Sequence, residues 1–249
     1  MRNTCRLAIL GLIILVSACR QEVERTPSFD GEAAAVDLAE QMFAAIGGKE
    51  AWCALRSLYI KAEHTEPDMD APYQSEIWRG IDTFDLVIEQ QNADFHVKGV
   101  FSDERGEIRY LDERDSSRLL TPEQLASWRY DHQHNVYVLL HDLACNPQEF
   151  RVVLEPDQHL AFYRDTVLVT RFGLDQQLRP YRFYRPNGGG SVSESRFTRW
   201  GTDDGLVHSA GGHPLDSSFF YETEIWEPSK KTLQEAFGGE VYLMVKDRD

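Results

Sequence analysis

Positive charge is scarce in this sequence. Its 249 residues carry 26 Lys and Arg against 41 Asp and Glu, a formal net charge of −15. Such a surface repels phosphate backbones, and nucleic-acid binding, which rests on neutralising phosphates, is disfavoured. Long apolar runs are missing too. The run Leu7–Val16 has ten residues, whereas a helix needs roughly 20 to cross a bilayer core. Cysteine is limited to Cys5, Cys19, Cys53 and Cys145. There is no Gly-x-Ser-x-Gly elbow, no His-Glu-x-x-His helix and no Walker-type loop. Gly188–Gly190 follows Pro186-Asn187 and precedes a strand-like stretch, so it reads as a hairpin loop and not a phosphate cradle. No internal repeat or low-complexity tract occurs. We therefore expect no enzyme, no catalytic residue and no cofactor.

What is present begins at the N-terminus. Arg2 and Arg6 form a basic region, Leu7–Val16 an apolar one, and Ser17-Ala18-Cys19 a small-residue close. That is the layout of a secretory signal. Val16-Ser-Ala-Cys19 also resembles the bacterial lipobox, in which a peptidase cuts before a diacylglycerylated cysteine. The resemblance implies a signal peptide over 1–18 and a lipidated Cys19 as the first mature residue. Loss of residues 1–18 removes Arg2 and Arg6 and no acid, leaving 24 basic residues against 41 acidic ones. Anionic lipids give such a chain no electrostatic help, so its partner membrane must be held by acyl chains. Stable anchoring takes two such signals, which a diacylglyceryl group supplies. Arg20, in place of aspartate after the lipidated cysteine, fits the sorting rule for a lipid anchor on the periplasmic face of the outer membrane. With Cys5 removed and Cys19 lipidated, Cys53 and Cys145 remain in an oxidising compartment. They are expected either to pair or to sit as two buried thiols.

Residues 19–29 are polar, contain Pro27 and read as a tether. Residues 30–249 read as one domain. Ala35, Leu38, Ala39, Met42, Phe43 and Ile46 recur on one helical face, with Asp30 as the expected cap and Gly47-Gly48 as the stop. The pattern then changes to period two: Leu58-Ile60-Ala62, Phe84-Leu86-Ile88, Phe95-Val97 and Ile108-Tyr110, with Tyr73–Trp78 less regular. Short alternating segments separated by turns predict antiparallel hairpins with one wet face. Thr121-Pro122-Glu123-Gln124 carries the signature of a capped helix start. After the polar break Asp131–His134, the stretch Val136–Leu143 fits either a short helix or a strand. Alternation resumes at Phe150 and continues through Phe219–Ile225, with turns expected at Pro186–Gly190, Asp203–Gly205 and Gly211–Pro214. Ser229–Phe237 reads as a brief helix, and Val241-Leu243-Val245 as a last strand. The fold class is mainly β (α+β): a curved, unclosed antiparallel barrel of ten or eleven strands, with an N-terminal helix and a central helical insert as lid.

This order of a helix over Ala33–Gly48, strands from Leu58 to Leu111, helices within Thr121–Leu143 and strands from Phe150 onward resembles the lipoprotein-localisation (Lol) carriers. Ile46-Gly-Gly-Lys-Glu-Ala-Trp-Cys-Ala-Leu-Arg-Ser-Leu58 is similar to the helix-to-strand passage of lipoproteins in that superfamily. The resemblance implies an open barrel whose apolar cavity holds acyl chains, and hence a lipid-anchored periplasmic protein that binds or hands over an acyl chain, a lipoprotein or another hydrophobic ligand. It places no functional residue on this chain. On physical grounds, a curved sheet rich in aromatics must cover its concave face with helices, side chains or a ligand. Tyr59, Trp78, Phe84, Phe95, Phe101, Phe162, Tyr163, Phe183 and Phe219 are the candidate walls. The rival reading is an accessory lipoprotein whose barrel is filled by its own side chains and which acts through protein contacts. A third is a periplasmic hydrolase or metalloprotein using His132, His134, His141 and His159 with Asp131 and Asp142, but these lack any spacing that fixes a ligand set, and no metal is expected.

Overall fold

The computed structural model describes residues 28–186, 191–215 and 219–237. The expected lipidation site Cys19, most of the tether, the Gly188–Gly190 loop and the strand expected at Val241–Val245 lie outside them.

The chain opens with the two-residue strand β1 (Asp30–Gly31), helix α1 (Ala33–Ala45) and the short α2 (Lys49–Cys53). Six strands follow: β2 (Ser57–Thr65), β3 (Tyr73–Gly80), β4 (Leu86–Gln91), β5 (His96–Phe101), β6 (Gly106–Tyr110) and β7 (Ser116–Leu119). Helices α3 (Pro122–Gln133) and α4 (Val136–Cys145) then lead to seven more. These are β8 (Arg151–Glu155), β9 (His159–Arg164), β10 (Val167–Leu174), β11 (Pro180–Pro186), β12 (Val192–Asp203), β13 (Leu206–Pro214) and β14 (Phe220–Ser229), before α5 (Leu233–Phe237).

Among the described residues the fourteen strands form one sheet, in the order β1-β8-β9-β10-β11-β12-β13-β14-β2-β3-β4-β5-β6-β7. The sheet is curved and unclosed, with β1 and β7 as its edges. The first meander starts near the middle at β2 and runs to the β7 edge. The second starts beside the opposite edge at β8 and runs back until β14 pairs with β2. The connection from β7 to β8 must therefore cross the whole sheet, and α3 and α4 are that crossing. The topology alone sets two helices over one face.

Several expectations need correction. Fourteen strands among the described residues replace ten or eleven. β7 is exposed at every residue and shows no apolar alternation, so it carries no strand signal. Gly211–Pro214 is not a turn but the end of β13. A Cβ on Gly212 would sit 2.4 Å from the Arg196 carbonyl oxygen of β12, so a glycine is needed where the two strands pass this closely. β1 pairs parallel to β8, the exception in an otherwise antiparallel sheet. Asp30 lies in that strand and caps nothing; Glu32 takes the N-cap position of α1 without a side-chain hydrogen bond. Asp131–Gln133 is no break, because α3 runs through it. Thr121 and Gln124 form the reciprocal capping box that starts α3, at 3.3 and 3.1 Å. Gly47 and Gly48 do stop α1, with φ of +110° and +92°, where a side chain would be strained.

The main core lies under α1, α2 and α4. Ala35, Ala39, Met42 and Phe43 of α1 pack on β8 and β9, beside Phe29, Phe150 and Phe162. Trp52 of α2 is fully buried between Tyr137 of α4 and Trp226 of β14. A disulfide joins Cys53 of α2 to Cys145 of α4, with Cα atoms 4.9 Å apart. A second, smaller core of Phe84, Leu86 and Phe101 lies under α3, where Trp128 stacks on Phe101 at 4.3 Å.

Candidate ligand cavity

Beside the main core, the α3–α4 corner stands off the sheet and roofs a half-open cavity of about 570 Å³. Strand alternation decides its walls. Ile60, Ala62 and His64 of β2 point in, as do Ile77 and Arg79 of β3, Phe183 and Arg185 of β11, and Ser193, Ser195 and Phe197 of β12. Pro214, Tyr221 and Thr223 complete the sheet side, and His134, Asn135, Val136 and Tyr137 form the roof. Ile60, Arg79, Val136, Tyr137 and Phe183 are buried, whereas His64, Arg185, Ser193, Pro214 and Tyr221 are half-buried. The lining thus grades from a closed inner end to an accessible rim. At that rim, Tyr130 Oη of α3 donates to the Pro186 carbonyl at 2.8 Å, and Arg185 meets Asp131 at 3.3 Å. These two contacts tie the end of α3 to β11.

The polar groups of the lining are mostly held neutral. Tyr137 Oη donates to the Ser209 carbonyl at 3.3 Å, and Tyr221 Oη bonds Ser209 Oγ at 2.7 Å. Burial pushes Tyr221 up to about 12 and raises Tyr137 as well, so both stay protonated. His64 packs between Tyr73 and Phe219, at ring separations of 4.9 and 5.2 Å, and burial lowers it to about 4. Two arginines are the charged exceptions: Arg185, paired with Asp131, and Arg79. Only 7 % exposed, Arg79 donates from Nη1 to His132 Nδ1 at 3.0 Å. That histidine must accept, so it is neutral; burial first, then the Arg79 charge, lower it to about 3, against a smaller opposing bond to the Thr83 backbone.

His132 thereby sets a pH dependence. Its pKa in the folded chain, about 3, lies below the roughly 6.5 of an unfolded histidine. As pH falls through 6.5 the unfolded chain takes up the proton first, and stability is lost until about pH 3. Between pH 7 and 5 that amounts to about 2 kcal/mol, with His64 acting in the same direction. Thermal unfolding at the two pH values should show the drop, and His132→Gln should remove its share. An unchanged pH slope in that variant would contradict the assignment.

Of the nine aromatics singled out from the sequence, Phe183 lines the cavity, and Phe219 stacks on lining residue His64. Phe162 is in the main core, Phe84 and Phe101 are in the second, and Phe95 packs edge-on to Tyr73 at 5.6 Å. Tyr59, Trp78 and Tyr163 occupy the opposite strand phase and line no part of the cavity. Tyr59 and Trp78 pair at 5.2 Å on the outer face, where Tyr59 donates to Glu76 at 3.0 Å, and Tyr163 lies under the Arg151 guanidinium at 5.0 Å. The four histidines do not meet: His132 bonds Arg79, His134 its own helix, His141 sits 3.4 Å from Cys145 Sγ, and His159 bonds the Pro156 carbonyl. Among the described residues no three His, Cys, Asp or Glu converge as metal ligands, and no helix is long and apolar enough to cross a membrane. Sequence reasoning missed Arg79, Arg185, His64, Tyr137 and Tyr221. The one available signal was a cation in the inward phase Tyr73-Ser75-Ile77-Arg79.

No family model matches the chain, and no curated protein does. Among solved structures it is similar to a DUF1329 family protein from Desulfovibrio piger, at 11% identity and a TM-score of 0.48, over 85% of this chain and 98% of that one. It is also similar to a domain from Vibrio parahaemolyticus described as an outer membrane lipoprotein-sorting protein, at 8% identity and a TM-score of 0.43, over 82% and 96%. Neither likeness says what the cavity holds.

Proposed function

We propose that this protein is a lipid-anchored periplasmic binding protein that holds an acyl chain or another hydrophobic ligand under the α3–α4 corner. The observation that carries the reading is the cavity itself. Its volume of about 570 Å³ falls in the range of small-molecule sites, roughly 300–1,000 Å³, and its mix of apolar walls and a few polar groups is that of a ligand pocket. It also weighs against a barrel filled by its own side chains. Native mass spectrometry of the purified full chain should show a co-purifying lipid, and a fluorescent fatty acid should bind and be displaced. Ser195→Trp, at a half-buried wall position, fills the cavity and should weaken that binding at least about tenfold, the loss of roughly 1.4 kcal/mol. Absence of any ligand, or equal binding by the variant, would overturn the proposal.

The anchor belongs to the same reading. Cys19 supplies the diacylglyceryl attachment on the outer membrane, and the acidic surface adds nothing to it. Cys19→Ala should move the protein from the membrane to the soluble fraction after cell lysis. Persistence in the membrane fraction would show that a protein partner, not the acyl group, retains it.

A further inference from the structure

A guanidinium taken out of water is costly unless an anion or a full set of hydrogen bonds compensates it. The other buried cations follow that rule: Lys49 pairs with Glu40 at 2.7 Å, and Lys98 with Glu89 at 3.0 Å. Arg79, equally buried, does not. Among the described residues no carboxylate pairs with it, its Nη1 meets a neutral imidazole, and its buried Nε has no hydrogen-bond partner. The group lines the cavity. Burial lowers its pKa only to about 10, so it carries its charge at neutral pH.

A second source of positive potential converges on the same place. α4 begins at the cavity roof, where Asn135 caps it by accepting from the Tyr137 amide at 3.1 Å, and Asn135, Val136 and Tyr137 all line the cavity. The positive end of a ten-residue helix therefore faces the space that Arg79 enters. Among the described residues nothing negative lines that space: the ionisable groups there are Arg79, Arg185, His64, His134, Tyr137 and Tyr221. Asp131, which meets Arg185 at the rim, is exposed and is not part of the lining.

We propose that the cavity takes an anionic amphiphile, a long-chain carboxylate or phosphate monoester, whose head group pairs with Arg79 while its tail lies along Ile60, Ile77, Phe183 and Phe197. The inference rests on the reading of the cavity as a site for hydrophobic ligands and narrows it. The acyl chains of a lipoprotein are esters and amides without a charge, so they leave Arg79 unpaired. A free fatty acid or an alkyl phosphate monoester supplies the missing anion, through a charge-assisted bond from the guanidinium.

The test compares three ligands of one chain length by displacement of a fluorescent fatty acid from the full chain: hexadecanoate, hexadecyl phosphate and hexadecanol. Both anions are expected to bind about ten- to a hundredfold more tightly than the alcohol, the range of a charge-assisted hydrogen bond. Which anion leads tells a carboxylate from a phosphate source. In Arg79→Met the ratio of anion to alcohol affinity should collapse towards one, and Arg79→Lys should restore part of it. Equal binding of all three ligands by the unmodified chain overturns this proposal and leaves the hydrophobic-ligand reading standing. Binding of none of the three overturns both. The comparison within the unmodified chain needs no variant, so a folding defect in Arg79→Met leaves the proposal falsifiable.

Discussion

Trp52→Ala is expected to lower the unfolding free energy by about 4 kcal/mol, within the range for truncating a fully buried tryptophan. The indole is 0% exposed. It stacks on Tyr137 and meets Trp226 edge-on, each at a centroid distance of 6.4 Å. Three elements that are far apart in sequence, α2, α4 and β14, thus share one contact. The cost is mainly the cavity left behind and not a stranded polar group. Trp52 Nε1 donates to the Ile46 carbonyl at 3.0 Å, but that oxygen also accepts from the Val207 amide at 3.1 Å and keeps a partner when the indole is gone. Trp52→Phe should therefore retain more than half of the lost stability. Because Tyr137 also roofs the ligand cavity, Trp52→Ala should weaken fatty-acid binding as well. Denaturant unfolding monitored by far-UV circular dichroism measures the first effect; a loss below about 1.5 kcal/mol would mean that the core collapses into the space and that these three elements are not locked by Trp52.

The same contact shows which parts of this molecule were legible in the sequence. Period and caps were. The face Ala35-Ala39-Met42-Phe43 places α1, the box at Thr121 places the start of α3, and alternation from Ser57 onward places most strands. Strands with no apolar phase were not. β7 is wholly exposed, and β1 has two residues. The glycines near the end of β13 speak for a turn until the approach of Arg196 of β12 is known.

The site was legible only as a probability of being covered, not as a set of residues. In β2 and β3 both strand phases carry large side chains, so periodicity cannot say which phase faces in. The inward phase proved to be the one with Ile60, Ala62 and Ile77, and the aromatics Tyr59 and Trp78 turned outward. Outside they cover a ladder of charges, in which Lys98 lies 5.9 Å over the Trp78 ring while pairing with Glu89, itself bonded to His96 at 2.7 Å. An aromatic ring is as useful there, shielding ion pairs from water, as in a core. Asp131–Gln133 misled for a related reason. A polar run points to solvent, but His132 turns inward from α3 to accept from Arg79. Both errors have one source: a buried charge needs a partner at a distance, and single-sequence patterns carry no information about distance.

Reduction or removal of the Cys53–Cys145 link should also have a large effect, and one distributed over the fold. The two cysteines are 92 residues apart, and the chain-entropy argument gives about 4 to 5 kcal/mol for a closed loop of that length. That loop contains the entire first meander, β2 to β7, together with α3 and nearly all of α4. The link therefore closes the long crossing that carries the chain from the β7 edge back to β8, the connection with the largest closure entropy in the topology. Its removal leaves α4 packed on α2 in the native state, so the change acts mostly on the unfolded chain. The paired variant Cys53→Ala/Cys145→Ala is accordingly expected to lose roughly 3 to 5 kcal/mol of stability while keeping the native circular dichroism and an intact cavity. A reducing agent should bring the unmodified chain down to the variant and leave the variant unchanged. Equal stability of the two proteins under oxidising conditions would mean that the bond constrains nothing that packing between α2 and α4 does not already hold. The fatty-acid affinity separates the two levels: a loss confined to the unfolded state leaves it unchanged, whereas a weakened affinity would show that the link also fixes α4, and with it the Asn135–Tyr137 roof, in place.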